Sequence, residues 1–246
     1  MSKVIVITGG SAGIGAATGE ALAARGDQVV LVARRQDALE QVAARCGGRA
    51  RVQVADVTDR AQVRRVVADT IAALGRIDVW INNAGLGITR APTELTDVDI
   101  DTMMRANVHS ALYGMQEVLP HFQARGDGHI INISSLLGRL PYIRIRSAYV
   151  GAKHFLNALT AMMRAEVQET HPGIQISLVS PGVVRTDFGL NAVHGGPDSR
   201  SFPESQSAEE VAAVIARVID TRQPDVYTRP AQQRIAQYYA TVGVDA

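Results

Sequence analysis

The sequence predicts an α/β fold, a doubly wound parallel sheet of about seven strands flanked by helices. Three observations predict it. Short, almost continuously apolar runs alternate with longer stretches of helical period. The first run, Val4 to Ile7, stops at the glycine-rich turn Thr8-Gly9-Gly10-Ser11-Ala12-Gly13-Ile14-Gly15, and a helical pattern follows at once. No low-complexity tract or proline- and serine-rich linker divides the 246 residues, so one domain is expected over 1–246.

The strands are read at Val4 to Ile7, Val29 to Val32, Val52 to Ala55, Ile77 to Asn82, His129 to Ser134, Ile174 to Val179 and near Val226. Most are apolar throughout, as strands buried on both faces are, and the intervals between them leave room for crossover helices. Ile14, Ala17, Ala21 and Leu22 recur at helical spacing after the glycine turn, and Thr96 with Asp99 forms a capping box. A long helix begins near Ser147 and keeps one face mainly apolar through Tyr149, Ala152, Lys153, Leu156, Leu159 and Met163. Over 186–207 the periodicity vanishes. Gly189, Gly195, Gly196, Pro197 and Pro203 break any element there, with Phe188, Leu190 and Phe202 interspersed, which reads as a mobile substrate lid. Ala208 to Ile219 and Ala231 to Val244 read as helices, with Tyr238, Tyr239 and Val242 placed to cover the chain's own cleft or a neighbouring subunit.

Composition narrows the function classes. Twenty-five basic residues against 24 acidic ones, scattered along the chain, leave no electrostatic footprint for nucleic acid. The opening strand is too short and wrongly flanked for a signal peptide or membrane span, which predicts a cytoplasmic protein. Cys46 alone offers no intramolecular disulfide and no cysteine cluster for a metal, and is most simply a helix-end residue. His109, His154 and His194 show no metal-ligand spacing with acidic partners, so no catalytic metal is predicted.

Two patterns carry chemistry. At Gly9, Gly13 and Gly15 the missing side chains let backbone approach a pyrophosphate, and the helix N-terminus attracts the anion. The spacing alone suits a tight strand–helix connection equally well. Its position at the carboxyl edge of the sheet, in line with Asp56 and Asn83, favours the nucleotide. Tyr149 and Lys153, four apart in a helix, share a face. A phenol, with an unperturbed pKa of about 10, needs a neighbouring positive charge to work as an acid–base catalyst at neutral pH.

Across essentially its whole length the chain resembles the short-chain dehydrogenase/reductase family, whose fold is a single-domain Rossmann fold. Thr8 to Gly15 resembles its TGxxxGxG turn, Asp56-Val57 its adenine contact, Asn82-Asn83-Ala84-Gly85 its NNAG signature and Tyr149 to Lys153 its YxxxK element. Pro181-Gly182 through Val184 and Thr186 resembles the segment after the sixth strand. The resemblance implies a catalytic tetrad of Asn107, Ser135, Tyr149 and Lys153. Tyr149 would exchange a proton with the carbonyl or alcohol oxygen, and Ser135 would orient that oxygen. Lys153 would bond the nicotinamide ribose and lower the tyrosine pKa, and Asn107 would hold a water. Taken singly, each residue has an ordinary structural reading; as an ordered set they favour function.

Ser135 lies one position farther upstream of Tyr149 than the family spacing, which a one-residue insertion between Gly138 and Arg146 explains, with Ser134 as the fallback. At the end of the second strand stand Arg34 and Arg35 where enzymes preferring NAD(H) place an acid, so NADP(H) is the expected cofactor, with Ser11 adding a hydrogen bond. Thr186 would bond the carboxamide or pyrophosphate, and the family implies transfer of the pro-S hydride. Leu86, Ile88, Leu137, Leu140, Tyr142, Phe188, Leu190 and Phe202 suggest an apolar ketone, aldehyde or secondary alcohol as substrate. Arg139, Arg144 and Arg146 form a basic cluster near the cleft mouth that could attract an anionic substrate, with a solvated loop the favoured reading. The resulting expectation is an NADP(H)-dependent carbonyl reductase or alcohol dehydrogenase, a homodimer or homotetramer. A non-catalytic NADPH-binding regulator on the same fold is the alternative. A redox-assisted epimerase or dehydratase would need a larger C-terminal substrate region.

Overall fold

Inside the strands successive side chains turn to opposite faces, and both faces are covered by helices. The computed structural model describes residues 2–243. Ile5 and Ile7 of β1 (Val4–Thr8) join one apolar layer with Leu22 of α1 (Gly13–Ala24) and Ile215 of α7 (Ala208–Thr221). Val6, between them, belongs to the opposite layer with Val63 of α3 (Arg60–Leu74), Met115 of α5 (Ser110–Arg125) and Val167 of α6 (Ser147–Thr170). The same division separates Val29 and Leu31 from Val30 and Val32 in β2 (Gln28–Ala33), and Val79 and Ile81 from Trp80 in β4 (Val79–Asn82). These continuous apolar runs make a sheet that only helices on both sides can bury.

With β3 (Ala50–Val54), β5 (Gly128–Ile133), β6 (Ile174–Ser180) and β7 (Asp225–Tyr227), the sheet has seven parallel strands in the order β3-β2-β1-β4-β5-β6-β7. The order reverses between β1 and β4, which opens a crevice at the carboxyl ends of these strands. β3 occupies an edge, and Val54 there is 54% exposed, so the apolar run expected over Val52 to Ala55 is instead a half-covered strand beginning at Ala50. β4 starts at Val79 rather than Ile77. Asp78 serves as an anchor before it, accepting from the Val4 amide at 2.7 Å and pairing with Arg76 and Arg125.

Helix ends follow local chemistry. Thr96 and Asp99 form a reciprocal capping box on α4 (Asp97–Met104), and Ser207 with Glu210 forms another on α7. Cys46 is buried at the end of α2 (Gln36–Arg45). The segment over 186–207 has no regular element beyond the short turn Ser199–Ser201, yet it is stitched to its surroundings by pairings of Ile88 with Val193 and of Val184 with Gln206. α8 (Gln232–Thr241) lies on the chain's own cleft loop. The Tyr239 hydroxyl donates to the Arg139 carbonyl at 2.9 Å, and Arg234 stacks on Tyr142 with 5.2 Å between guanidinium carbon and ring centroid. Val242 stays exposed, and Val244 lies outside the described residues. Among the described residues no helix is long and apolar enough to cross a membrane.

Candidate active site

The glycine turn is shaped by what glycine lacks. Gly9 and Gly13 hold φ values of 67° and 53°, a left-handed conformation that side chains resist. A Cβ on Gly15 would lie 2.2 Å from the Gly9 carbonyl oxygen, so α1 packs directly on the turn. Ala12 caps α1 without a side-chain bond, and no acid occupies the first turn, which leaves the leading amides of the helix free to receive an anion. Thr8 Oγ1 accepts the amides of Asn83 and Ala84 at 3.0 and 3.1 Å, binding the loop after β4 to the end of β1. Asn83 Nδ2 donates to the Thr8 carbonyl at 2.9 Å, so this asparagine braces the turn.

Between α4 and α5 the helix passes through a π-helical segment, Arg105–His109, a local widening frequent at functional sites. It carries Asn107, buried, whose Nδ2 donates to the Leu86 and Met103 carbonyls at 2.9 and 3.0 Å while Oδ1 accepts the Leu86 amide at 3.2 Å. Gly85 sits between this side chain and Lys153. A Cβ there would meet Asn107 Oδ1 at 2.9 Å and Lys153 Nζ at 3.7 Å.

The two serines after β5 separate as strand geometry requires. Ser134 Oγ donates to Asn157 Oδ1 on α6, whose Nδ2 in turn donates to the Gly138 carbonyl at 2.8 Å. That hydroxyl is committed to holding the loop. Ser135 Oγ instead accepts the Leu137 amide at 3.1 Å and lies near the Tyr149 hydroxyl, outside the Asn157 contact. Tyr149 is buried on the first turn of α6, and burial pushes its pKa up to about 12; the neighbouring Ser135 hydroxyl and the Arg146 guanidinium oppose that rise. Lys153, one turn later, donates to the Ile133 carbonyl at 3.0 Å and lies 5.7 Å from the Tyr149 ring centroid. Burial pulls its pKa down to about 8.

A cleft of about 1430 Å³ runs from the glycine turn past Ser135, Tyr149 and Lys153 to the segment after β6. Ile14, Ala84, Pro181, Gly182, Val184 and Thr186 also line it. Thr186 packs on the turn itself, its Cγ2 3.1 Å from where a Gly13 Cβ would be. Its hydroxyl accepts the Phe188 amide at 3.3 Å, and the Phe188 ring meets Tyr149 edge-on at 5.6 Å. Ser11, Arg34, Arg35, Asp56 and Val57 lie outside that cleft, at and beyond the carboxyl ends of β1, β2 and β3. Arg34 and Arg35 are exposed and make no ion pair with the described residues, whereas Asp56 Oδ1 already accepts from the amide and hydroxyl of Thr58 at 2.9 and 2.7 Å.

His194 Nε2 lies 2.7 Å from Asp99 Oδ1 and 3.0 Å from Arg90 Nη1, one imidazole with one carboxylate. No group of three or more His, Cys, Asp or Glu able to hold a metal occurs among the described residues. Arg146 does not belong to a solvated loop. It is half-buried in the cleft wall, and its Nη1 donates to the Ile88 carbonyl at 3.0 Å. Sequence reasoning favoured solvent exposure for this residue, although it precedes Tyr149 by three positions, the spacing that puts two side chains on one helix face.

A parallel sheet with this strand order, a glycine turn at its switch point, a serine just after β5 and a tyrosine and lysine on α6 meet along one cleft. Residues 3–194 match the short chain dehydrogenase family, and the chain belongs to it. It is 32% identical over 249 residues to the dehydrogenase/reductase SDR family protein 7-like of Drosophila melanogaster, covering 96% of this chain and 75% of that protein. Oxidoreductase BOA17 of Botryotinia fuckeliana is 32% identical, with 91% of this chain and 87% of the relative covered. A short-chain dehydrogenase structure from Streptomyces avermitilis superposes with a TM-score of 0.85 at 30% identity, covering 98% of this chain and 93% of that one.

Proposed function

We propose that this oxidoreductase transfers a hydride between NADP(H) and the carbonyl or secondary alcohol carbon of a small to medium, largely apolar substrate. The observation that carries the reading is that Ser135, Tyr149 and Lys153 line one wall of the cleft that begins at the open glycine turn. The bound dinucleotide supplies or accepts the hydride at its nicotinamide. In reduction, Tyr149 gives its proton to the carbonyl oxygen as that oxygen gains negative charge, and Ser135 hydrogen-bonds the same oxygen. The products are the alcohol and the oxidised dinucleotide. Lys153, buried and free of any carboxylate, holds positive charge beside the phenol and can return a proton toward it. Asn107 fixes the loop at Leu86 and thereby the floor on which Lys153 works.

The fit to the dinucleotide rests on the turn where a Cβ would collide at Gly15 and on the free amides after Ala12. Arg34 and Arg35, exposed and without carboxylate partners, suit a 2′-phosphate, and Ser11 lies in the same turn. An alcohol dehydrogenase from Thermococcus sibiricus, solved with 5-hydroxy-NADP, is similar at 26% identity and a TM-score of 0.80, and levodione reductase at 29% and 0.82. Asp56 and Val57 would receive the adenine, and Pro181 to Thr186 the nicotinamide end. Exposed Phe155 and Met162 on α6 support assembly as a homodimer or homotetramer. The test is oxidation of NADPH and, in parallel, NADH against ketones and aldehydes, with Tyr149→Phe as control. Turnover that persists in the control overturns the reading.

A further inference from the structure

Beyond Ser135 and Lys153, the cleft wall around Tyr149 carries one half-buried cation, Arg146. The Arg146 guanidinium and the Phe188 ring share the space over Gly87, where a Cβ would lie 2.9 Å from Phe188 Cε1 and 3.2 Å from Arg146 Nη1. On its other side Gly196 makes the same allowance, a Cβ there falling 3.1 Å from Nη2. Two glycines thus leave room for a planar cation that sits between the loop after β4 and the segment over 186–207. The backbone under it is fixed, since Arg90 pairs with Arg146 in a short parallel bridge and the Arg90 amide donates to the Ile145 carbonyl at 2.8 Å.

Three other arginines of this wall are paired with carboxylates. Arg200 pairs with Asp187 at 2.7 Å, Arg229 with Glu210 at 3.1 Å and Arg234 with Glu204 at 3.5 Å, and Arg185 stands exposed at the rim. Arg146 is half-buried, uses one N–H on the Ile88 carbonyl, and has no carboxylate within ion-pair distance among the described residues. Taking a guanidinium out of water without a counter-ion costs free energy that the fold itself does not return. A ligand that brings a carboxylate to the remaining N–H groups returns it, because guanidinium and carboxylate match as two parallel hydrogen bonds.

We propose that Arg146 is the substrate-recognition residue for a carboxylate, so that the substrate class is an oxo acid: a carbonyl presented to Tyr149 and Ser135, a carboxylate held by Arg146, and an apolar body against Phe188 and Ile145. The proposal rests on the reductase reading and deepens it. It also gives a physical role to the loop that separates Ser135 from Tyr149, because that loop ends in Arg146. The wall offers a large apolar group space beside the cation, which distinguishes the substrate from a bare inorganic anion.

The experiment compares aryl α-oxo and γ-oxo acids with their methyl esters under saturating NADPH, in wild-type protein, Arg146→Gln and Arg146→Lys. The expected result is a wild-type preference in kcat/KM for at least one acid over its ester. That ratio falls about thirtyfold or more in Arg146→Gln, mostly through KM, and recovers in part in Arg146→Lys. A wild-type preference for every ester overturns the proposal, and this arm stands even where the variants do not fold. A ratio unchanged in Arg146→Gln overturns it too, since acid and ester then suffer together and Arg146 acts only on the phenol. Absence of turnover with any carbonyl, acid or neutral, removes the reductase reading instead. The thermal shift given by the same acids with and without Arg146 then decides the binding claim alone.

Discussion

Gly15 rests on Gly9 so closely that a Cβ at position 15 would come within 2.2 Å of the Gly9 carbonyl oxygen and 2.6 Å of Asn83 Nδ2. The neighbours are backbone and a braced amide, so neither can move aside cheaply. Gly15→Ala is expected to lower stability by about 1–3 kcal/mol, as overpacking does, and to weaken dinucleotide binding by tilting α1 away from the turn. Urea denaturation and cofactor titration check both effects; an alanine variant with unchanged affinity for the dinucleotide would show that the turn is not its seat.

Tyr149 bears the proton in the proposed reaction, and the Phe188 ring packs edge-on against it. Tyr149→Phe keeps the packing and removes the acid. It is expected to reduce kcat by roughly a hundredfold to ten-thousandfold while cofactor affinity changes little. Stopped-flow measurement of NADPH oxidation in a single turnover separates the chemical step from binding.

The pKa values of Lys153 and Tyr149 are displaced in opposite directions, with opposite consequences for stability. Burial lowers Lys153 to about 8 from 10.5, so the folded protein releases this proton before the unfolded chain does. Stability of the cofactor-free protein therefore rises between pH 8 and the ordinary lysine range, by roughly 1–3 kcal/mol. Tyr149, raised from 10.0 to about 12, stabilises the fold below its unfolded pKa and ceases to do so as pH climbs from 10 through 12. Denaturation midpoints at pH 7 and 9.5 should differ in the wild type and converge in Lys153→Met. A rise that survives in the variant belongs to some other group.

Arg34 and Arg35 lie exposed at the end of β2 with no carboxylate in reach. Arg34→Ala is expected to raise the KM for NADPH about tenfold to a hundredfold and to leave that for NADH within a factor of a few, since only the former carries the 2′-phosphate. Steady-state kinetics with both cofactors read the ratio directly, and equal losses on the two would remove the phosphate from the argument.

Much of this architecture is legible in the chain because one physical signal dominates. Strands such as Val29 to Val32 are buried on both faces and stay apolar at every position, while Thr96-x-x-Asp99 writes a helix start in local hydrogen bonds. The ends of the sheet are less legible. Ala50–Val54 alternates at an edge, and Asp78 cuts β4 short for an anchor that joins residues far apart in sequence. Within the site, the nearness of Tyr149 and Lys153 follows from helical spacing alone. The π-helical segment that delivers Asn107 has no mark in residue pattern, because it depends on how α4 and α5 meet the loop at Leu86. The roles of Ser134 and Ser135 separate only once Asn157 is seen to claim the first hydroxyl. Arg146 read as surface for the same reason: the glycines that admit it, Gly87 and Gly196, come from two distant loops.

Of the 25 basic residues only two, Lys3 and Lys153, are lysines. Every other cation is a guanidinium, which amine-selective acylating reagents ignore at neutral pH. Lys3 sits beside the outer end of β1, and the other lysine is the one buried behind Tyr149. Apart from the α-amine, covalent labelling of lysine side chains in this chain is therefore a two-position readout, with one site as internal standard and the other as a reporter of how often the cleft admits solvent.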